Sequence, residues 1–237
     1  MRKHLNELVE KLKAATGANL KSIVLHGSAV GGEFHPEHSD LNVLLLLERL
    51  DVAELEKLNP TARWWESKGH PAPLVFTPEE LVRSADVFAI ELLDIKARHE
   101  LLAGEDFFTT LEVPMNRHRA QVERELRTNL VRLRQHYLAS PGDGKAMLRL
   151  MTESVSSFGT LFRHALIALG EPRPEHKSDA LDRLAAQLGF DPSAFHTILD
   201  LRAARRRAKE INVEVTFRGY LDAVGCVTRE IDTRFGQ

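Results

Sequence analysis

The chain has 237 residues, of which 43% are hydrophobic and 28% charged, and its formal charge at neutral pH is -2. It is long enough for one large domain or two ordinary ones with real cores, and its charge balance gives no global electrostatic case for nucleic acid, so a polyanion site would have to be local. The longest apolar stretch, residues 43–47, is far below the roughly 20 residues that span a bilayer, and the opening MRKHLNELVEKLK reads as an amphipathic helix without a signal-peptide apolar block. With a single cysteine, Cys226, there is no internal disulfide and no cysteine cluster for zinc. These features point to a cytoplasmic protein that makes no membrane contact.

Leu5, Leu8, Val9 and Leu12 recur at helical spacing, and Gly17 stands where a helix would stop. Residues 21–26 form a short strand that runs into Gly27-Ser28. Residues 41–47 are almost wholly apolar, as expected of a strand covered on both faces, and helical spacing returns at Val52, Leu55 and Leu58 until Asn59-Pro60 ends that helix. Residues 73–77 read as a third strand, followed by a helix with Pro78 in its first turn. The run VFAIELLDI, residues 87–95, is the candidate for a fourth strand.

The pattern changes near Glu112. Val122, Leu126, Leu130, Leu133 and Tyr137 define a long amphipathic helix, which Ser140-Pro141-Gly142-Asp143-Gly144 breaks. A second helix is expected over 145–169, then a loop at 170–174 and three more helices over 178–188, 192–209 and 215–235. The expectation is an α+β protein: an amino-terminal domain over 1–112 with a mixed sheet flanked by helices, then an all-α helical bundle over 113–237.

A strand that delivers its chain into Gly27-Ser28 and a helical turn aims backbone N-H groups at one point. Glycine lets an anion approach the backbone, the start of a helical turn favours negative charge, and Ser28 adds a hydroxyl donor. Gly-Ser at a turn is also common for purely structural reasons, and Gly31-Gly32 is open in the same way. Asp40 sharpens the reading, because a carboxylate at the mouth of a strongly apolar strand is costly unless it meets solvent or a cation. In an extended chain Asp40 and Asn42 project to one side, while Leu41 and Val43 enter the core. Magnesium held between such a carboxylate and triphosphate oxygens is the common arrangement for phosphoryl chemistry; the plainer alternative is that Asp40 caps a turn. His26 either lines this pocket or packs at the strand end.

In this order the segment LHGSAVGGEFHPEHSDLNVLLL, residues 25–46, resembles the nucleotide-binding core of the DNA polymerase β-like nucleotidyltransferases. GSAV, a glycine pair and Ser-Asp before a strand are similar to the same stretch of the aminoglycoside nucleotidyltransferases. The resemblance covers residues 20–105 and extends loosely to the helical half, since a helical bundle follows the catalytic domain in these enzymes and in small-nucleotidyltransferase and HEPN pairings. It implies that Gly27 and Ser28 hold a nucleoside triphosphate, that Asp40 with residue 42 binds Mg2+, and that a third acid lies on a neighbouring strand, with Glu91 the first candidate and Asp94 the second. Asn42 stands where the family has an acid, so divalent affinity falls and the bridging of two ions suffers most. The implied activity is transfer of a nucleoside monophosphate from a magnesium-bound triphosphate to a hydroxyl of a small molecule or protein. A noncatalytic nucleotide-binding or protein-interaction module, including a toxin-antitoxin partner, is the alternative.

On the helical half the resemblance makes Glu153 the candidate general base, against a plainer reading as part of a polar helix face with Ser154, Ser156 and Ser157. The HEPN ribonuclease motif is absent at the obvious place, because only three residues separate Arg132 from His136. Arg124, Arg127 and Arg134 on one helix, and Arg202, Arg205, Arg206 and Arg207 on another, read as solvated faces offset by Glu123 and Glu210 rather than as a nucleic-acid site. His35 and His38 read as solvated loop residues. The long amphipathic helices are compatible with a homodimer.

Overall fold

A computed structural model describes residues 2–30, 40–140 and 142–235; Gly31-Gly32, His35 and His38 lie outside the described residues. The chain divides into two compact units, Met1–Met115 and Asn116–Gln237.

The first unit runs α1 (Arg2–Thr16), β1 (Leu20–His26), β2 (Asn42–Leu47), α2 (Val52–Glu66), β3 (Leu74–Phe76), α3 (Pro78–Arg83), α4 (Ala89–Ala97) and β4 (His99–Gly104). Its sheet has the order β3-β2-β1-β4. β1 pairs antiparallel with both β2 and β4, while β3 pairs parallel with β2, so the sheet is mixed. Ile23 and Leu25 of β1, with Val43, Leu45 and Leu47 of β2, pack against Leu5, Leu8 and Leu12 of α1 and Leu58 and Trp65 of α2. The alternate residues Val24, Leu44 and Leu46 pack on the other face with Leu81, Leu92, Ile95, Phe108 and Leu111. Burial on both faces is why these strands read as continuous apolar runs. Ser22 is the exception within β1: its hydroxyl is buried without a hydrogen-bond partner.

Two expectations for this unit are corrected. α2 does not end at Asn59-Pro60 but carries Pro60 inside it and continues to Glu66. A proline in a helix interior costs about 3 kcal/mol, and the continuation beyond it carries Trp65, fully enclosed, into the core. Residues 87–95 form no strand. Ala89–Ala97 is helix α4, with Ala89, Ile90, Leu92 and Ile95 buried on one side and Glu91 exposed. The fourth strand is the next segment, His99–Gly104. A short apolar run has no periodicity that separates a buried strand from a buried helix face.

The second unit consists, among the described residues, of α5 (His118–Ala139), α6 (Gly144–Ala168), α7 (Lys177–Leu188), α8 (Ser193–Arg202) and α9 (Val213–Phe235), with a 3-10 turn at Ala208–Glu210. α6 packs against each of the other four helices. Phe158, Phe162, Phe195 and Tyr220 fill its core, Phe195 stacking on Tyr220 at 4.1 Å and 14°. The helix expected over 192–209 stops at Arg202, where Ala204 takes a left-handed φ of 55° and the N-H groups of Arg205 and Arg206 both bond to the Asp200 carbonyl. No helix among the described residues is long and apolar enough to cross a membrane.

Gly104 closes β4 at φ 83°, and a Cβ there would lie 2.0 Å from the Lys21 carbonyl oxygen, a backbone atom that cannot swing aside. Gly69 has a similar φ of 84° with nothing within 4 Å. Gly104→Ala is expected to destabilise the fold by about 3 kcal/mol, against about 1 kcal/mol for Gly69→Ala. Urea unfolding of the two variants measures the difference, and equal losses would contradict the close approach.

Candidate functional site

β1 ends at His26 and the chain turns at once into a 3-10 turn, Gly27–Ala29, closed by the Val30 N-H on the Gly27 carbonyl at 3.2 Å. Gly27 has φ 80°, a left-handed conformation that favours glycine. A Cβ there would meet the Asn42 side-chain nitrogen at 3.2 Å, so the amide occupies the space beside the phosphate-loop candidate that a side chain at Gly27 would need. His26 and Asn42 are also paired across β1 and β2. Asp40 is exposed just before β2, Asn42 is half-buried, and Leu41 between them is fully buried among the side chains of α1 and α2. Asp40 and Asn42 therefore share the opposite side of the extended chain, as period-two alternation requires.

His26 and His99 form a cross-strand pair at the same end of the sheet, so His99, His26 and Asn42 make a polar row there. His26 is half-buried, its Nε2 is enclosed without a hydrogen-bond partner, and burial pushes its pKa down to about 4. His99 has the opposite environment. Its Nδ1 lies 2.9 Å from the Ile95 carbonyl and its Nε2 lies 3.1 Å from both carboxylate oxygens of Asp106, so full use of both contacts needs both N-H groups. Burial works to raise the Asp106 pKa, but hydrogen bonds from His99 and from the Phe108 and Thr109 amides outweigh it and hold the carboxylate below its ordinary range.

The remaining candidates are not gathered at this end in the same way. β3, the neighbour of β2, carries Leu74, Val75 and Phe76 and no acid. Glu91 lies in the first turn of α4, an exposed residue on a helix rather than a strand. The carboxy-terminal end of α4 leads into His99, and Glu91 is about 9 Å of helix rise back from Ala97; Asp94 is nearly a turn closer. Glu153 sits on α6 in the second unit, exposed and ion-paired with Arg149 at 2.7 Å. Ser154 and Ser156 are not an open polar face: Ser154 bonds to the Tyr220 hydroxyl at 2.9 Å and Ser156 accepts from the Lys177 ammonium at 2.8 Å. The arginine clusters are largely offset within their own unit, Arg127 by Glu123 and Asp232, Arg205 by Asp200 and Arg207 by Glu210.

A groove of about 630 Å³ lies elsewhere, along α3 and the segment carrying Phe107 and Leu111. α3 follows Phe76, which pairs with Leu46 near the far end of β2 from Asn42, so this groove is not the Gly27-Ser28 pocket. The sequence reading missed His70, His99 and Asp106. His70 precedes β3, packs tilted against Trp65 with ring centroids 4.3 Å apart, and accepts the Leu41 N-H through Nδ1 at 3.4 Å. Burial lowers the His70 pKa, and the nearby Asp40 charge only partly opposes this. Neither its spacing nor its neighbours in the chain mark it, because the contact joins residues 29 positions apart.

A mixed four-stranded sheet with α1 and α2 on one face and α3 and α4 on the other is a fold that this chain shares with a nucleotidyltransferase of known structure. Among solved structures, spectinomycin adenyltransferase AAD(9) from Enterococcus faecialis, determined with ATP and spectinomycin, matches with a TM-score of 0.59 over 95% of this chain and 99% of that one, at 15% identity. A toxin-antitoxin structure with AMP-PNP matches over 53% of this chain and 96% of its own, at 21% identity and a TM-score of 0.33. No family model and no curated relative matches the sequence.

The depressed pKa of His26 sets a pH dependence. The unfolded chain takes up this proton near the ordinary imidazole value of 6.5, whereas the folded chain resists it down to about 4. The stabilisation from keeping His26 neutral is therefore complete above pH 6.5 and is lost as pH falls towards 4, by up to about 3 kcal/mol. Urea unfolding at pH 7 and pH 4.5 should show that loss in the wild type and a smaller one in His26→Phe; equal losses would remove His26 as the cause.

Proposed function

We propose that the first unit binds a nucleoside triphosphate with one divalent cation at the His26 end of its sheet, and that the chain transfers the nucleoside monophosphate to a hydroxyl of a small molecule or protein. The observation that carries this reading is the meeting of Gly27 with Asn42, one residue pair away from the exposed Asp40, at the end of an otherwise apolar sheet. Gly27 and Ser28 would hold phosphate oxygens by backbone and hydroxyl donors. That AAD(9) has this fold and was determined with ATP and spectinomycin supports a triphosphate donor and a small-molecule acceptor.

The donor set suits one hard cation delivered on the triphosphate: a carboxylate from Asp40 and an amide oxygen from Asn42. It does not suit two, because β3 supplies no acid and no group of three acidic, histidine or cysteine side chains is placed to hold a metal among the described residues. When bound, Mg2+ would supply charge neutralisation of the triphosphate oxygens. In the transfer the acceptor oxygen bonds to the α-phosphorus, the bond to the bridging oxygen breaks and pyrophosphate leaves. The hydroxyl proton passes to a base, for which Glu153 is the candidate; it would first have to leave Arg149. Glu91 and Asp94 are candidates for a further acid only if α4 brings one to the cation.

The acid-free β3 favours a second reading, a nucleotide-binding or protein-interaction module that kept the fold without the transfer chemistry, a toxin-antitoxin partner among its forms. Calorimetric titration of ATP and GTP with Mg2+ should show binding to the wild type that weakens at least about tenfold in Asp40→Ala, a loss of about 1.4 kcal/mol. No binding of either nucleotide by the wild type overturns the site. Asn42→Asp separates the two readings: a rise of about tenfold or more in magnesium-dependent turnover, from a measurable baseline, supports the enzyme, and no turnover in either form supports the module.

A further inference from the structure

Parallel pairing of β3 with β2 covers only Leu44, Leu45 and Leu46. The site end of β2 continues beyond this pairing to Asn42 and to Leu41 before it, and the chain that would extend β3 alongside it contains Pro71 and Pro73, which have no N-H to give a ladder. At that place the His70 ring takes over. Its Nδ1 accepts the Leu41 N-H at 3.4 Å, and the ring packs at a tilt against Trp65, which is fully buried in the same core that receives Leu41. Accepting at Nδ1 puts the neutral ring's proton on Nε2.

Leu41 is the residue between Asp40 and Asn42. Fixing its N-H towards the sheet edge and its side chain in the core leaves the two flanking side chains only the opposite face, where Asn42 meets Gly27. We propose that His70 is a positioning residue of the nucleotide site: its Nδ1 stands in for a missing strand carbonyl and holds Asp40 and Asn42 in register with the Gly27 turn. The role rests on reading that end of the sheet as the nucleotide site, and His70 touches neither nucleotide nor cation in it.

Two substitutions separate the acceptor from the ring. His70→Asn keeps an oxygen acceptor close to the Nδ1 position and removes the ring packed against Trp65; His70→Phe keeps a ring there and removes the acceptor. The first readout needs no ligand: amide hydrogen exchange at Leu41, followed by NMR on the full chain. Protection should fall about tenfold in His70→Phe and stay within about threefold of wild type in His70→Asn. The second is calorimetry with ATP, with and without Mg2+. His70→Phe should weaken magnesium-dependent ATP binding about tenfold and leave metal-free ATP binding within about twofold, while His70→Asn stays close to wild type in both. A purely packing role gives the reverse order, with His70→Asn the more impaired, and overturns the proposal, as does unchanged Leu41 protection in His70→Phe. If wild type binds no ATP, the nucleotide reading fails and the positioning role falls with it. Loss of Leu41 protection in His70→Phe would then establish only the hydrogen bond.

Discussion

Burial of β1 and β2 on both faces is the constraint on which the arrangement of the first unit depends. Ile23, Val24 and Leu25, and Val43 to Leu47, are all enclosed, alternately by the helices of one face and of the other. A polar side chain in the middle of such a strand has no water and few partners, and the orphaned hydroxyl of Ser22 shows what that position entails. Groups that must meet an anion or a cation can therefore stand only at the strand ends. At one end the sheet places His26, Asn42 and His99 side by side, with the Gly27 turn directly after His26 and Asp40 two residues before Asn42 in the chain. The apolar runs thus do more than build a core, because they confine the chemistry to one edge.

That edge was legible in part. Gly27, Ser28, Asp40 and Asn42 are close in the chain, and their relations follow from two local rules, the freedom of glycine at a turn and the two-residue period of an extended segment. The mixed sheet and the helical second half were legible for the same reason, as long periodic or continuous apolar segments. The third acid was not. Residues 87–95 are nearly all apolar, and whether Leu92 and Ile95 enter the core as strand or as helix depends on what α4 packs against, which is Val24, Leu44 and Leu46 from elsewhere in the chain. Pro60 misled in a related way: its local effect is to break a helix, and only the burial of Trp65 five residues later explains why the helix goes on. His70 and the His99-Asp106 pair are long-range or loop contacts without a sequence period, so no local pattern could expose them.

The two histidines at the sheet end are held in different ways. His26 is enclosed with no partner for Nε2 and stays neutral well into the acid range, whereas His99 has an oxygen against each ring nitrogen. Adjacent on neighbouring strands, they form one uncharged and one acceptor-lined position. An environment of this kind keeps like charge from building up beside the Gly27 turn while leaving Asp106 ionised at the sheet edge.

Asn42 is best understood against that background. A second carboxylate at position 42 would stand beside Gly27, and two acids facing a triphosphate repel it unless two cations lie between them. On the proposed reading, with an amide there, one carboxylate and one cation would suffice to bring the anion in. On that reading the amide would also present N-H donors towards the phosphates, since its nitrogen is the atom nearest to where a Cβ at Gly27 would stand. An amide that weakens a two-metal site would on this reading also remove much of the electrostatic need for the second metal in binding. What it would not replace is a second cation's part in aligning an attacking hydroxyl, so on the proposed reading binding and transfer would separate at this position, and the absence of an acid from β3 would lie on the transfer side of that division.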